Sequence, residues 1–111
     1  MSKLQKSIDK GNIKPFYDEW SIIETKLQEL FSTRKKGAEQ AMLEGIILYQ
    51  SLLDHCKSDE ERIEPLNHAE RIQFIKANPS SYAAFRQLQE LFKEMDKKLA
   101  AKRAMLGKLK K

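Results

Sequence analysis

Residues 38–57 read AEQAMLEGIILYQSLLDHCK, and this stretch decides the fold. Met42, Leu43, Ile46, Ile47, Leu48, Tyr49, Leu52 and Leu53 recur at helical spacings but spread around much of the circumference. That is the pattern of a helix covered on several sides. Its longest unbroken apolar run is Ile46 to Tyr49, far short of the roughly 20 residues a bilayer demands. Gly45 costs about 1 kcal/mol of helix propensity there, a penalty explained if a neighbouring helix crosses closely at that point. The stretch predicts the central helix of an all-α bundle, from about Ala38 to Lys57, and the flanking segments must supply the helices that cover it.

On the N-terminal side Gly37 is the expected break, preceded by a predicted helix from Pro15 to Arg34. Pro15 suits a first turn, where its missing N–H would have no partner anyway. Phe16, Trp20, Ile23, Leu27, Leu30 and Phe31 recur at three and four positions and so form one stripe. Tyr17 and Ile22 lie off it. On the C-terminal side Ser58 to Pro65 is polar and reads as a loop, with a turn of helix allowed at Asp59 to Ile63. Asn67 and Glu70 have the spacing of a capping box, and Leu66, Ala69, Ile72 and Ile75 are expected to face inward, with Phe74 on the flank. Pro79 ends that helix near Asn78. Ser80 or Ser81 then caps a fourth helix from Tyr82 to at least Leu99, with Phe85, Leu88, Phe92, Met95 and Leu99 on its stripe. The fold expected is a compact all-α bundle of about four helices: an N-terminal extension at 1–14, a helical domain at 15–100 and a basic tail at 101–111 that frays into solvent.

The net charge of +5 is unevenly placed. Residues 93–111 carry +6, residues 1–14 carry +3, and residues 15–92 carry −4. The sequence pI of about 9.3 therefore rests on the termini, and Lys97, Lys98, Lys102, Arg103, Lys108, Lys110 and Lys111 form the candidate contact for a phosphate backbone. A single cysteine, Cys56, cannot close an intramolecular disulfide, and residues 1–10 lack a signal-peptide core, so a cytoplasmic location without membrane insertion is expected. His55 and Cys56 are adjacent and point about 100° apart on a helix, so they cannot both face one metal. His68 reads as exposed surface. No paired-cysteine or paired-histidine motif, phosphate-cradling glycine loop or nucleophile elbow is present, so neither a cofactor nor catalysis is expected.

The string Glu70-Arg71-Ile72-Gln73-Phe74-Ile75, followed by Asn78-Pro79, Tyr82 and Leu88-Gln89-Glu90-Leu91-Phe92, resembles the YpoC-like family of small Gram-positive bacterial proteins. Trp20 and Leu30-Phe31 ahead of Arg34, and Gly45-Ile46, are similar too. The resemblance covers about Phe16 to Lys98 and rests mostly on packing and capping positions. It implies an all-helical cytoplasmic protein, brings no active-site residues to carry over, and leads us to expect a shorter N-terminus here than in the family. The reading reached by elimination is a non-catalytic protein-interaction module, binding an unknown protein or a second copy through Tyr17, Ile22 and Phe74. The alternative is sequence-independent nucleic-acid binding through the basic tail.

Overall fold

A computed structural model describes residues 3–58 and 61–109, and no strand occurs among them. The elements are α1 (Lys3–Ser7), α2 (Lys10–Thr33), α3 (Ala38–Cys56), α4 (His68–Ala77) and α5 (Tyr82–Leu109). The four long helices are those expected, and they form a bundle 53 Å long and 25 by 17 Å across. The chain turns from α2 into α3 over Arg34–Gly37. Arg34 takes a left-handed conformation and its N–H donates to the carbonyls of Leu30 and Phe31. Gly37 starts α3 at φ 113°, where a side chain would be strained.

α2 and α5 both pack against α3, as its pattern predicts. A Cβ at Gly45 would lie 3.0 Å from Leu88 Cδ2 of α5 and 3.1 Å from Trp20 Cζ3 of α2. The missing side chain thus lets both neighbours touch the α3 backbone. Trp20 stacks on Phe92 with centroids 4.2 Å apart and planes 10° from parallel, and Tyr49 meets Phe92 edge-on at 5.5 Å. Two to three turns away along the helices, Phe31 stacks on Phe85 at 5.4 Å. These pairs run α2 antiparallel to α5, while Gly45–Leu88 and Tyr49–Phe92 run α3 parallel to it. Each such pair adds about 0.5–1.5 kcal/mol beyond the area it buries.

Several boundaries differ from the sequence reading, each for a local reason. α2 begins at Lys10, not Pro15, because Asp9 caps it by accepting from the Gly11 N–H at 3.2 Å. Pro15 sits inside the helix on its exposed side, where a carbonyl left without its N–H partner is open to solvent. Within the stretch ahead of Pro15, Ile8 and Ile13 are buried in the core. Nor does the C-terminal segment fray beyond Ala100 through its described residues. α5 continues to Leu109 because Lys102, on the inward stripe, pairs with Glu61 at 2.6 Å, Arg103 Nη1 donates to the Ile8 carbonyl at 3.0 Å, and Leu106 packs against the core.

α4 is held by side-chain polar contacts. Arg71 donates to Glu94 and Gln87 of α5 and to the Leu66 carbonyl, which keeps the Glu94 carboxyl below its ordinary range and the guanidinium above its own. The buried Tyr49 hydroxyl and His68 Nδ1 share a hydrogen bond of 2.8 Å, so His68 is a half-buried tether rather than open surface. Asn67 stands before α4 in a left-handed conformation (φ 55°) without a side-chain cap bond. The expected capping box is therefore not formed, and Asn serves through its tolerance of that conformation. Leu66 and Ala69 are exposed instead of inward-facing: Leu66 lies ahead of α4, and within the helix Ile72 and Ile75 carry the buried face. Ser81 caps α5 as expected, its Oγ accepting from the Ala84 N–H at 3.0 Å.

Two outcomes follow for stability. Gly45→Leu should lower it by about 1–3 kcal/mol through overpacking against Trp20 and Leu88, with Gly45→Ala much milder because its helix-propensity gain offsets the squeeze; thermal melts of both variants check this. Burial, with Lys76 and Arg71 nearby, holds His68 below its ordinary value even though Glu64 pulls the other way. A group whose folded pKa is depressed contributes stability that is present above its unfolded pKa and lost as pH falls. Urea melts should show stability falling as the pH drops below about 6.5, the ordinary histidine value, and His68→Gln should flatten that slope.

Candidate functional site

Residues that could carry chemistry are occupied structurally. Cys56 is buried and burial pushes its thiol up to about 11, so the nucleophilic thiolate is scarce at neutral pH. His55 turns away from it, its Nε2 within 2.8 Å of the Ser7 carbonyl and its ring 5.1 Å from Phe16. Among the described residues, no group of three or more His, Cys, Asp or Glu converges as a metal site. No helix there is long and apolar enough to cross a membrane. A cleft of about 290 Å³ between the 61–64 segment and α5 is lined by Glu61, Arg62, Glu64, Lys98, Lys102 and Met105. Two of these residues, Glu61 and Lys102, pair with each other at 2.6 Å.

A groove of about 660 Å³ lies on the outer face of the α2–α3 pair, lined by Phe16, Glu19, Ile22 and Ile23 of α2 and by Glu44, Ile47, Leu48 and Ser51 of α3. Ile22 and Ile47 stand up on its walls, 72% and 64% exposed, and Leu43 is 42% exposed at the same face of α3. Ile23 and Leu48 are buried beneath. Glu19 and Glu44 supply the ionised groups among these residues.

Of the three apolar candidates read from the sequence, this groove takes Ile22 alone. Tyr17 belongs to the packing between α2 and α5: its hydroxyl donates to the Phe92 carbonyl at 2.7 Å, its ring meets Phe92 edge-on at 5.9 Å, and burial raises its pKa. Phe74 is 42% exposed on α4 and lines no part of the groove. The expectation that α3 is covered on several sides does not single out Ile47 and Leu43 as exposed. Gln40, Glu44, Ser51 and Asp54 fall on one helical face with Ile47 between them, a signal that the isoleucine sits in a polar setting.

The basic candidates divide. Lys102 and Arg103 are committed to Glu61 and Ile8. Lys97, Lys98 and Lys108 are exposed, and Lys110 and Lys111 lie outside the described residues. Arg86 and Lys93, upstream of the tail, are also exposed, and their heptad-like spacing puts them on the same outward face as Lys97 and Lys108.

The family model described as YpoC-like protein matches residues 10–107, which take in α2, α3, α4 and all but the last two residues of α5. The Uncharacterized protein YpoC of Bacillus subtilis (strain 168) is 36% identical over 104 residues, a match that spans 80% of this chain and 63% of that relative's length. No solved structure matches. With the match extending from the start of α2 to the last turns of α5, the chain belongs to the YpoC-like family.

Proposed function

We propose that this protein is a non-catalytic interaction module that docks a protein partner on the outer face of α2 and α3. The observation that carries the reading is the groove flanked by Ile22 and Ile47, where two large aliphatic side chains stand exposed above a buried apolar floor. Scattered exposed aliphatics are ordinary, but a shared concave strip with a polar rim is the form of a docking surface. The engaged states of Cys56 and His55 and the internal pairing of Lys102 favour binding over chemistry.

A second reading is supported by the outward row of Arg86, Lys93, Lys97 and Lys108 on α5, exposed cations suited to phosphate contacts. It predicts binding of labelled duplex or single-stranded nucleic acid that weakens steeply with salt and is lost when these residues become Gln.

For the docking reading, Ile22→Ser with Ile47→Ser should leave stability within about 1 kcal/mol, since both side chains are largely hydrated already, while abolishing a protein contact that survives moderate salt. Quantitative cross-linking of wild type, this double variant and Phe74→Ser measures it. A partner retained equally by all three refutes the groove as its site.

A further inference from the structure

The charge around the groove names the chemistry of its occupant. From Pro15 to Thr33, α2 carries Asp18, Glu19, Glu24 and Glu29 against Lys26 alone, and α3 carries Glu39, Glu44 and Asp54 with no Lys or Arg. Glu19 and Glu44 belong to the groove itself, one on each helix, and both are exposed. Asp18 is already engaged by Lys14 at 2.7 Å and Glu24 accepts from Gln89 of α5 at 2.9 Å, which leaves the rim pair without a hydrogen-bonded cation among the described residues. The walls, Phe16 and Ile22 on one side and Ile47 and Ser51 on the other, run along about two helical turns.

We infer that the groove binds a basic amphipathic helix of another protein, its apolar stripe against Ile22 and Ile47 and its Lys or Arg residues reaching Glu19 and Glu44 on the two flanks. The inference rests on the docking reading above and adds the partner's chemistry to it. A helix laid in a groove places residues three and four apart along one line, so one face meets the aliphatic walls while the positions beside it meet the rim. An acidic helix would set its charges against Glu19 and Glu44. The rim charges select the partner by sign and speed its approach, and the aliphatic floor retains it.

The test titrates the whole chain, with its isoleucine methyl groups observed by NMR, against two synthetic peptides of about 14 residues, close to four helical turns. Both carry leucines along one face; one has lysines on both flanks, the other glutamates. The lysine peptide should shift the Ile22 and Ile47 signals and bind at least about tenfold more tightly than the glutamate peptide. Glu19→Lys with Glu44→Lys, checked for an unchanged melting temperature, should reverse the preference. Equal binding of both peptides at Ile22 and Ile47 overturns the basic-helix assignment and leaves the groove as a docking site. No shift at either residue with either peptide counts against the groove itself. Concentration-dependent association of the chain alone in sedimentation, lost in Ile22→Ser with Ile47→Ser, overturns the assignment in favour of a second copy as occupant.

Discussion

The close crossing at Gly45 organises the molecule. With no side chain there, Trp20 and Leu88 both approach the α3 backbone, and this single contact sets the separation of α2, α3 and α5. The aromatic cluster follows from that spacing. Phe92 can stack on Trp20 and receive the edge of Tyr49 only if the three helices come this near, and Tyr17 reaches the Phe92 carbonyl for the same reason. A core of interlocked rings has few alternative packings, which gives the bundle one arrangement rather than a family of sliding ones.

Around this core the polar residues act as fasteners for the shorter elements. Arg71 joins α4 to α5 through Glu94 and Gln87, Tyr49 joins α3 to α4 through His68, and Lys102 joins α5 to the connecting segment through Glu61. The charge that is not spent in this way is segregated. Acids collect on the α2–α3 pair and cations along the outer side of α5, so the two sides of the bundle differ in sign. The apolar groove lies on the acidic side, and any partner must answer both properties together.

How much of this was legible in the sequence depended on the range of the interactions. The four long helices, the break at Gly37 and the capping of α5 by a serine after Pro79 are written in local spacing and in residue type. The close approach at Gly45 could be inferred because a glycine in a helix interior needs a reason. The failures came where distant residues decide. Lys102 and Arg103 looked like a solvated tail because Glu61 and Ile8, their partners, are far away in the chain. Tyr17 lay off the main stripe of α2, yet α5 extends past that stripe and covers it. Ile47 and Leu43 were not singled out as exposed, although no helix among the described residues covers the outer face of α3. The groove could not be read from either helix alone, since each contributes one wall.

The tie between the two ends of the chain also bears on how the fold is wired. Arg103 donates to the Ile8 carbonyl and Gln5 lies 3.5 Å from the Leu106 carbonyl, so the first and last helices meet at one pole of the bundle. The order in which the helices are strung is thereby separable from the way they pack. A covalent link between the first and last helices would span little distance, and fresh ends opened in the exposed Arg34–Gly37 turn would cut no buried backbone. The bundle is in this sense nearly a closed loop, and its packing constrains the strand of chain far more than its starting point does.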